Sequence, residues 1–198
     1  MTSERTSPEA DPTLRLRRLE SSDRAAVSRL LTGARFQRRS TFSGVHELHP
    51  VDWSERRRTF VVEAGHTLLG TTELLRDDDD PDTWELSLAL THEGSGDGGR
   101  CVAATLFYAF EVLGADSVWF WSADDNAAVQ RLAQRYGFSQ LNLIRLPGGA
   151  KAHVYELVNR TYQTHATGAF AHCLATPVTV DDGRDGWRGT AEGFIRGR

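Results

Sequence analysis

Three alternate glycines between an alternating strand and an amphipathic helix constrain this chain more than any other feature. The segment Glu93-Gly94-Ser95-Gly96-Asp97-Gly98-Gly99-Arg100 follows Trp84–Leu90, in which Trp84, Leu86, Leu88 and Leu90 face one way and Glu85, Ser87 and Ala89 the other. It leads into Val102, Ala103, Leu106, Phe107, Phe110 and Leu113 at helical spacing, closed by Gly114. A helix N-terminus presents unpaired backbone N–H groups and about half a positive charge, and glycines let phosphates approach the backbone closely. The junction therefore reads as a phosphate cradle, with a loose surface turn as the plainer alternative. Gly94-x-Gly96-x-x-Gly99 also fits a dinucleotide fingerprint, with Asp124 as a ribose-binding acid. That fingerprint belongs to a fold with further βα units after it, whereas here one helix and a hairpin follow. No Gly-Lys-Ser/Thr follows the loop, which excludes a nucleoside-triphosphatase loop.

The surrounding pattern predicts an α+β domain. Thr13–Leu19 alternates as a first strand, and Ser21, Ser22 and Asp23 then cap a helix carrying Ala26, Val27, Leu30 and Leu31, closed by Gly33. In the weakly patterned stretch 34–58, Pro50 ahead of Val51–Arg58 suggests a short helix. Phe60–Glu63 and Thr67–Leu75 form a hairpin about Ala64-Gly65-His66, and Asp77–Asp80 with Pro81 makes a solvated turn. Val118–Trp121 is wholly apolar, as a strand buried on both faces would be. Asn126 caps a helix with Val129, Leu132, Ala133 and Tyr136 on its apolar side, ended by Gly137. Phe138–Leu146 and Lys151–Val158 flank Pro147-Gly148-Gly149 as a closing hairpin. Antiparallel strands come first and one strand–helix–strand crossover sits in the middle.

Bulk properties narrow the class. A chain of 198 residues with 39% hydrophobic and 25% charged residues suits one packed domain. Residues 1–12 read as a disordered leader, 13–158 as the domain, and 159–198 as an extension with no assignable structure. Closing the site, building a homodimer and disorder are the open options for that tail. No apolar run reaches the roughly 20 residues a bilayer requires, and the N-terminus resembles neither a signal nor a transit peptide. Two cysteines, Cys101 and Cys173, provide neither a disulfide framework nor zinc spacing, which points to a reducing cytoplasm. The scattered His66, His92, His153 and His165 show no metal-ligand spacing, so no metal is expected. A net charge of -4 disfavours nucleic acid as the main partner. Cys101 sits on the first turn after the glycines, where a thiol pKa can be lowered; a packed thiol is the simpler reading.

Residues Glu93–Phe138 resemble the coenzyme A-binding core of the Gcn5-related N-acetyltransferases. Glu93-Gly94-Ser95-Gly96-Asp97-Gly98 is similar to the family's Gln/Arg-x-x-Gly-x-Gly/Ala loop. Asp124-Asp125-Asn126, Gln130-Arg131-Leu132 and Tyr136-Gly137-Phe138 are similar to its DxDN…RLYEKLGF stretch, closest to the ribosomal-protein alanine acetyltransferase branch. The resemblance implies a mixed, mainly antiparallel seven-stranded sheet with helices on both faces. It also implies an acetyl (acyl) transfer from acetyl-coenzyme A to an amine, either a small molecule or a protein N-terminus. The donor would be held by Leu88, Ala89, Leu90, Gly94, Ser95, Gly96, Asp97, Gly98, Gly99, Arg100 and Asn126, with a backbone N–H around Ala89 or Leu90 facing the oxyanion. Glu85 is the candidate general base, with Glu73 as competitor. The family's thiolate-protonating tyrosine falls at Ala133, which leaves Tyr136, one turn on, or solvent to donate that proton. Glu93 and Asp97 add negative charge beside the loop, which Arg100 offsets in part. A catalytically weak acyl-coenzyme A-binding module of the same fold is the alternative, and a dinucleotide-dependent enzyme the second.

Overall fold

The computed structural model describes residues 13–32, 53–91, 96–146, 149–165, 178–183 and 189–190. Its strands are β1 (Leu14–Arg18), β2 (Trp53–Ser54), β3 (Arg57–Ala64), β4 (Thr67–Arg76), β5 (Thr83–Leu90), β6 (Ser117–Ala123), β7 (Ser139–Arg145), β8 (Lys151–Val158), β9 (Val178–Asp181) and β10 (Gly189–Thr190). The helices are α1 (Arg24–Leu31), α2 (Asp97–Phe107, continuing as a π-turn over Tyr108–Val112), α3 (Ala127–Tyr136) and α4 (Asn159–His165). The strands form one sheet in the order β10-β9-β1-β3-β4-β5-β6-β8-β7, with β2 paired to β3. The seven expected strands are present, and β2, β9 and β10 bring the sheet to ten.

Period-two alternation sorts the residues onto two faces. Leu14, Leu16, Phe60, Val62, Leu74, Trp84, Leu86, Val118, Phe120 and Tyr155 are buried in one cluster with α2, Ala133 and Tyr136 of α3, and Tyr162 of α4. On the opposite face Val61 packs with Val27 of α1 and Leu19. The run around Val118–Trp121 departs from the expectation of burial on both faces. Val118 and Phe120 are buried, whereas Trp119 and Trp121 are half-buried. Among the described residues the cluster on that second face is small and lies over β3, so β6 lacks an equal cover on its other side.

The stretch expected to be a helix over 51–58 differs in its described part. Trp53–Ser54 turns back on Arg57–Arg58 as a tight antiparallel pair. Burial explains the choice: Trp53 sits edge-on to Phe60 at 5.2 Å, and Phe60 edge-on to Tyr108 at 5.0 Å. Each such contact stabilises by about 0.5–1.5 kcal/mol beyond area burial. Arg18 and Arg58 place guanidinium carbons 5.1 and 5.3 Å from the Trp53 ring centroid. The tail also joins the fold. β9 runs parallel to β1 with Val178 and Val180 buried, and Arg15 bonds Asp181 at 2.8 Å. The Tyr108 hydroxyl contacts the buried Asp182 carboxylate at 3.1 Å, tying the tail to the end of α2.

Candidate acyl-transfer site

β5 and β6 are parallel neighbours, yet only Thr83↔Ser117, Trp84↔Val118 and Glu85↔Trp119 are paired. β5 continues to Leu90 and β6 to Ala123, so the two strands diverge beyond Glu85 and leave a wedge-shaped gap. On its other side β5 stays paired with β4 as far as Gly70↔Leu90. The glycine at position 70 permits the close approach there. A Cβ at Gly70 would stand 1.9 Å from the Ala89 carbonyl oxygen, an impossible contact for any other residue without backbone movement.

Hydrogen-bond alternation gives the gap its chemistry. The Ser87 carbonyl accepts from Thr72 Oγ1 at 3.1 Å, and Thr91 N–H donates to the Leu69 carbonyl at 2.9 Å, so these odd-numbered peptide groups point to β4. In an antiparallel pair the intervening residues direct their N–H and C=O the other way. Leu86, Leu88 and Leu90 therefore turn theirs toward β6, where the ladder has ended, while Ala89 turns its own toward β4. Of the residues expected around the oxyanion, Leu90 thus turns its N–H toward the gap, as does Leu88, and Ala89 turns away from it.

At the mouth of the gap stands the start of α2. Gly96 is its N-cap with φ of +83°, a left-handed conformation that glycine adopts without strain, and a Cβ there would meet nothing within 4 Å. Asp97, Gly98, Gly99 and Arg100 form the first turn, with an Arg100–Asp97 ion pair at 3.2 Å. Gly94 and Ser95, the other two candidates on this loop, lie outside the described residues, as do His92 and Glu93. Asn126 caps α3, its Oδ1 accepting from Val129 N–H at 3.3 Å. Asp124, which follows β6, accepts from His153 Nε2 across 2.5 Å.

Tyr136 is fully buried, and its hydroxyl donates to the Gly99 carbonyl at 2.7 Å. It joins α3 to the first turn of α2. Ala133, where the family tyrosine falls, is also fully buried. Cys101 is a packed thiol: burial, then the neighbouring Asp97, push its pKa up, against a smaller opposing effect of Arg100. The lowered thiol pKa that a helix N-terminus allows is therefore overturned by desolvation.

Glu85 and Glu73 lie on the face of the sheet opposite α2, at the register positions Leu75↔Glu85 and Glu73↔Ser87. Glu73 is engaged: it accepts from Thr59 Oγ1 at 2.8 Å and pairs with Arg57 at 3.2 Å. Glu85 is half-buried, and its carboxyl is held above the usual range. Desolvation is the main cause, followed by repulsion from Glu73 and Asp77, with Arg57 opposing. The acidic turn next to it is internally bonded, Asp77 accepting from the Asp79 and Asp80 N–H groups and Asp80 from Thr83 Oγ1. Asp78 pairs with Arg56.

A family profile described as acetyltransferase (GNAT) domain matches residues 13–139. The chain belongs to the GNAT acetyltransferase family, a class of N-acetyltransferases whose acyl donor is acetyl-coenzyme A. No curated protein matches it. Among solved structures, it resembles a spermidine N-acetyltransferase chimera from Vibrio cholerae and hSSAT, at 22% identity and a TM-score of 0.65, over 77% of this chain and 99% of that one. The Vibrio cholerae spermidine N-acetyltransferase in complex with CoA and spermine gives 20% identity and 0.60, over 76% and 98%. The dodecameric form of that enzyme gives 21% and 0.59, over 76% and 96%. At these identities the likeness is one of fold.

The residues present fit the donor. The gap has unladdered peptide groups along β5, the α2 N-terminus leaves open space above Gly96, and one buried hydroxyl on β6, Ser122 Oγ, has no partner. The geometry does not favour the dinucleotide reading: β6 is followed in the sheet by the antiparallel β8, and among the described residues no second parallel βα unit adjoins it.

Proposed function

We propose that this chain acetylates the primary amine of a small molecule or protein N-terminus by direct attack within a ternary complex with acetyl-coenzyme A. A small cationic amine is favoured by Glu85, Glu73 and the Asp77–Asp80 turn at one end of the gap, and by the polyamine acceptors for which the structural neighbours are named. The observation that carries the reading is the position of Glu85 at the last paired residue of β5. It stands at the vertex of the gap, on the face away from α2, so donor and acceptor reach the same point from opposite sides of the sheet.

In this scheme Glu85 takes the ammonium proton, through a water, so that a neutral nitrogen attacks the thioester carbonyl. The amides of Leu88 and Leu90 stabilise the charge that develops on the carbonyl oxygen. The new C–N bond forms as the C–S bond breaks, and the thiolate takes its proton from solvent. Residues Gly94–Arg100 hold the pyrophosphate, and Asn126 lies beside the arm that reaches into the gap. A raised carboxyl pKa suits a base that must release its proton near neutral pH, and it moves the acid limb of kcat above the ordinary glutamate range. The reading places the enzyme in the cytoplasm; among the described residues no helix is long and apolar enough to cross a membrane.

A thiol-release assay with acetyl-coenzyme A and a panel of amines tests this. Glu85→Gln is expected to lower kcat by about 10²–10⁴-fold with little change in acetyl-coenzyme A affinity. If wild type and Glu85→Gln release thiol at the same background rate on every amine, the chain is a binding module, not an enzyme.

A further inference from the structure

The vertex of the gap belongs to a row of side chains that crosses the sheet. Register places Leu75 of β4 beside Glu85 of β5, Glu85 beside Trp119 of β6, and Trp119 beside Glu156 of β8. Side chains opposite one another in register project from the same face, so all four stand on the face away from α2. An indole therefore separates two carboxyl groups. Trp119 and Glu156 are both half-buried.

Other acids near this row have partners. Glu73 accepts from Thr59 and pairs with Arg57, Asp78 pairs with Arg56, and Asp77 and Asp80 bond within their own turn. By contrast, among the described residues neither Glu85 nor Glu156 has a hydrogen-bond or ion-pair partner. Glu85 has its use as the base. For Glu156, packing alone gives no reason for a carboxylate. A charge drawn half out of water beside an indole carries a desolvation cost that nothing in the free protein offsets. The row supplies a reason.

Neighbouring strands lie about 4.7–4.9 Å apart, so Glu85 and Glu156, two strands apart, are separated by about 9–10 Å. An ammonium held about 2.8 Å inside each carboxylate leaves two nitrogens roughly 5–8 Å apart, the span of an alkyl chain of about four or five carbons. Such a chain crosses the indole, which accepts apolar groups and attracts cations at its face.

We propose that Glu156 sets the acceptor specificity of this chain. The acceptor is an α,ω-diamine: one nitrogen reacts beside Glu85, the second ammonium is held by Glu156, and the methylenes lie over Trp119. This rests on the acyl-transfer reading of Glu85 above and selects among the amines it leaves open. Glu156 touches the far end of the substrate and not the reacting atoms.

The experiment compares 1,5-diaminopentane with pentylamine on wild type, Glu156→Gln and Glu156→Asp. It uses steady-state thiol release from acetyl-coenzyme A, and calorimetric titration of each amine onto the protein with coenzyme A. Wild type is expected to prefer the diamine about tenfold or more, both in kcat/KM and in affinity. Glu156→Gln should cut that preference about tenfold, through KM and not kcat, and Glu156→Asp, which keeps the charge, should retain more of it. Equal losses on both amines, a lowered unfolding midpoint with the preference intact, or no diamine preference in wild type would overturn the proposal. Failure of the acyl-transfer reading looks different: no amine then supports thiol release, while the calorimetric preference and its loss in Glu156→Gln still decide whether Glu156 holds the second cation.

Discussion

Gly70→Ala is the sharpest test of how the fold makes the site. A methyl carbon at position 70 would lie 1.9 Å from the Ala89 carbonyl oxygen and 2.9 Å from both the Ala89 carbonyl carbon and the Leu90 Cα. Carbon–oxygen contacts settle near 3.3–3.6 Å, so β4 and β5 must part by roughly 1.5 Å at this point. All three obstructing atoms are backbone, and no side-chain rotation relieves them. Overpacking of this kind costs about 1–3 kcal/mol, equivalent to a fall of several degrees in the unfolding midpoint for a chain of this size. The functional effect should exceed the structural one. The end of β5 carries the peptide groups of Leu88 and Leu90, and a displacement of about 1 Å in a positioning element costs on the order of 10²-fold in rate. Steady-state acetylation of the best amine, measured well below the unfolding midpoint, should therefore show kcat/KM reduced about 100-fold in Gly70→Ala. A variant that folds and keeps kcat/KM within about threefold of wild type would refute the reasoning, because the end of β5 would then have no part in aligning the reaction.

Two further outcomes follow from contacts around this frame. Tyr136→Phe removes a hydrogen bond to the Gly99 carbonyl and should lower stability by about 1 kcal/mol and raise the KM for acetyl-coenzyme A, with kcat nearly unchanged; a 100-fold loss in kcat at unaltered stability would make Tyr136 the proton donor instead. The Arg17 guanidinium holds the Asp23 carboxyl below its ordinary value, chiefly through hydrogen bonds of 2.6 and 2.7 Å, so this pair's contribution is present above the unfolded-state pKa of 3.8 and disappears as pH falls through the lower folded value. Acid titrations of wild type and Asp23→Asn, followed by circular dichroism, should diverge above about pH 4 and converge below it; parallel curves throughout would refute the linkage.

Local pattern carried much of this architecture. Leucines alternating over Thr13–Leu19, the turn at Ala64-Gly65-His66, the Asn126 cap and the Pro147–Gly149 hairpin are signals whose physics lies within a few residues, and each stands where expected as far as the chain is described. What failed to show in the sequence depends on distant partners. Trp53 is drawn into a strand pair by Phe60 and Tyr108, which no local periodicity over 51–58 reveals. Val178 and Val180 gain their meaning from β1, more than 160 residues earlier, and Asp182 from Tyr108. Gly70 is a lone glycine in an apolar strand, but what it approaches, the Ala89 carbonyl, is known only from the register with β5. Ser122 had no signal, because an orphaned hydroxyl exists only once its neighbours are known.

The divergence of β5 from β6 accounts for both halves of the proposed chemistry, and for where its weight falls. Parting the strands strips Leu86, Leu88 and Leu90 of a ladder toward β6, and a ligand in the gap can take its place. The same parting leaves Glu85 at the vertex, near Glu73 and Asp77 and half out of water, which raises its pKa. On the other side of the reaction the described residues of α3 offer less: Ala133 stands where the family tyrosine falls, and the Tyr136 hydroxyl donates to the Gly99 carbonyl. That asymmetry is chemically tolerable. A thiol has a pKa of about 8.5 and departs as the thiolate without help, whereas an alkyl ammonium near 10.4 must lose a proton before it can attack. The harder proton transfer is therefore the one this chain equips, and catalysis should be far more sensitive to Glu85 than to any hydroxyl on α3.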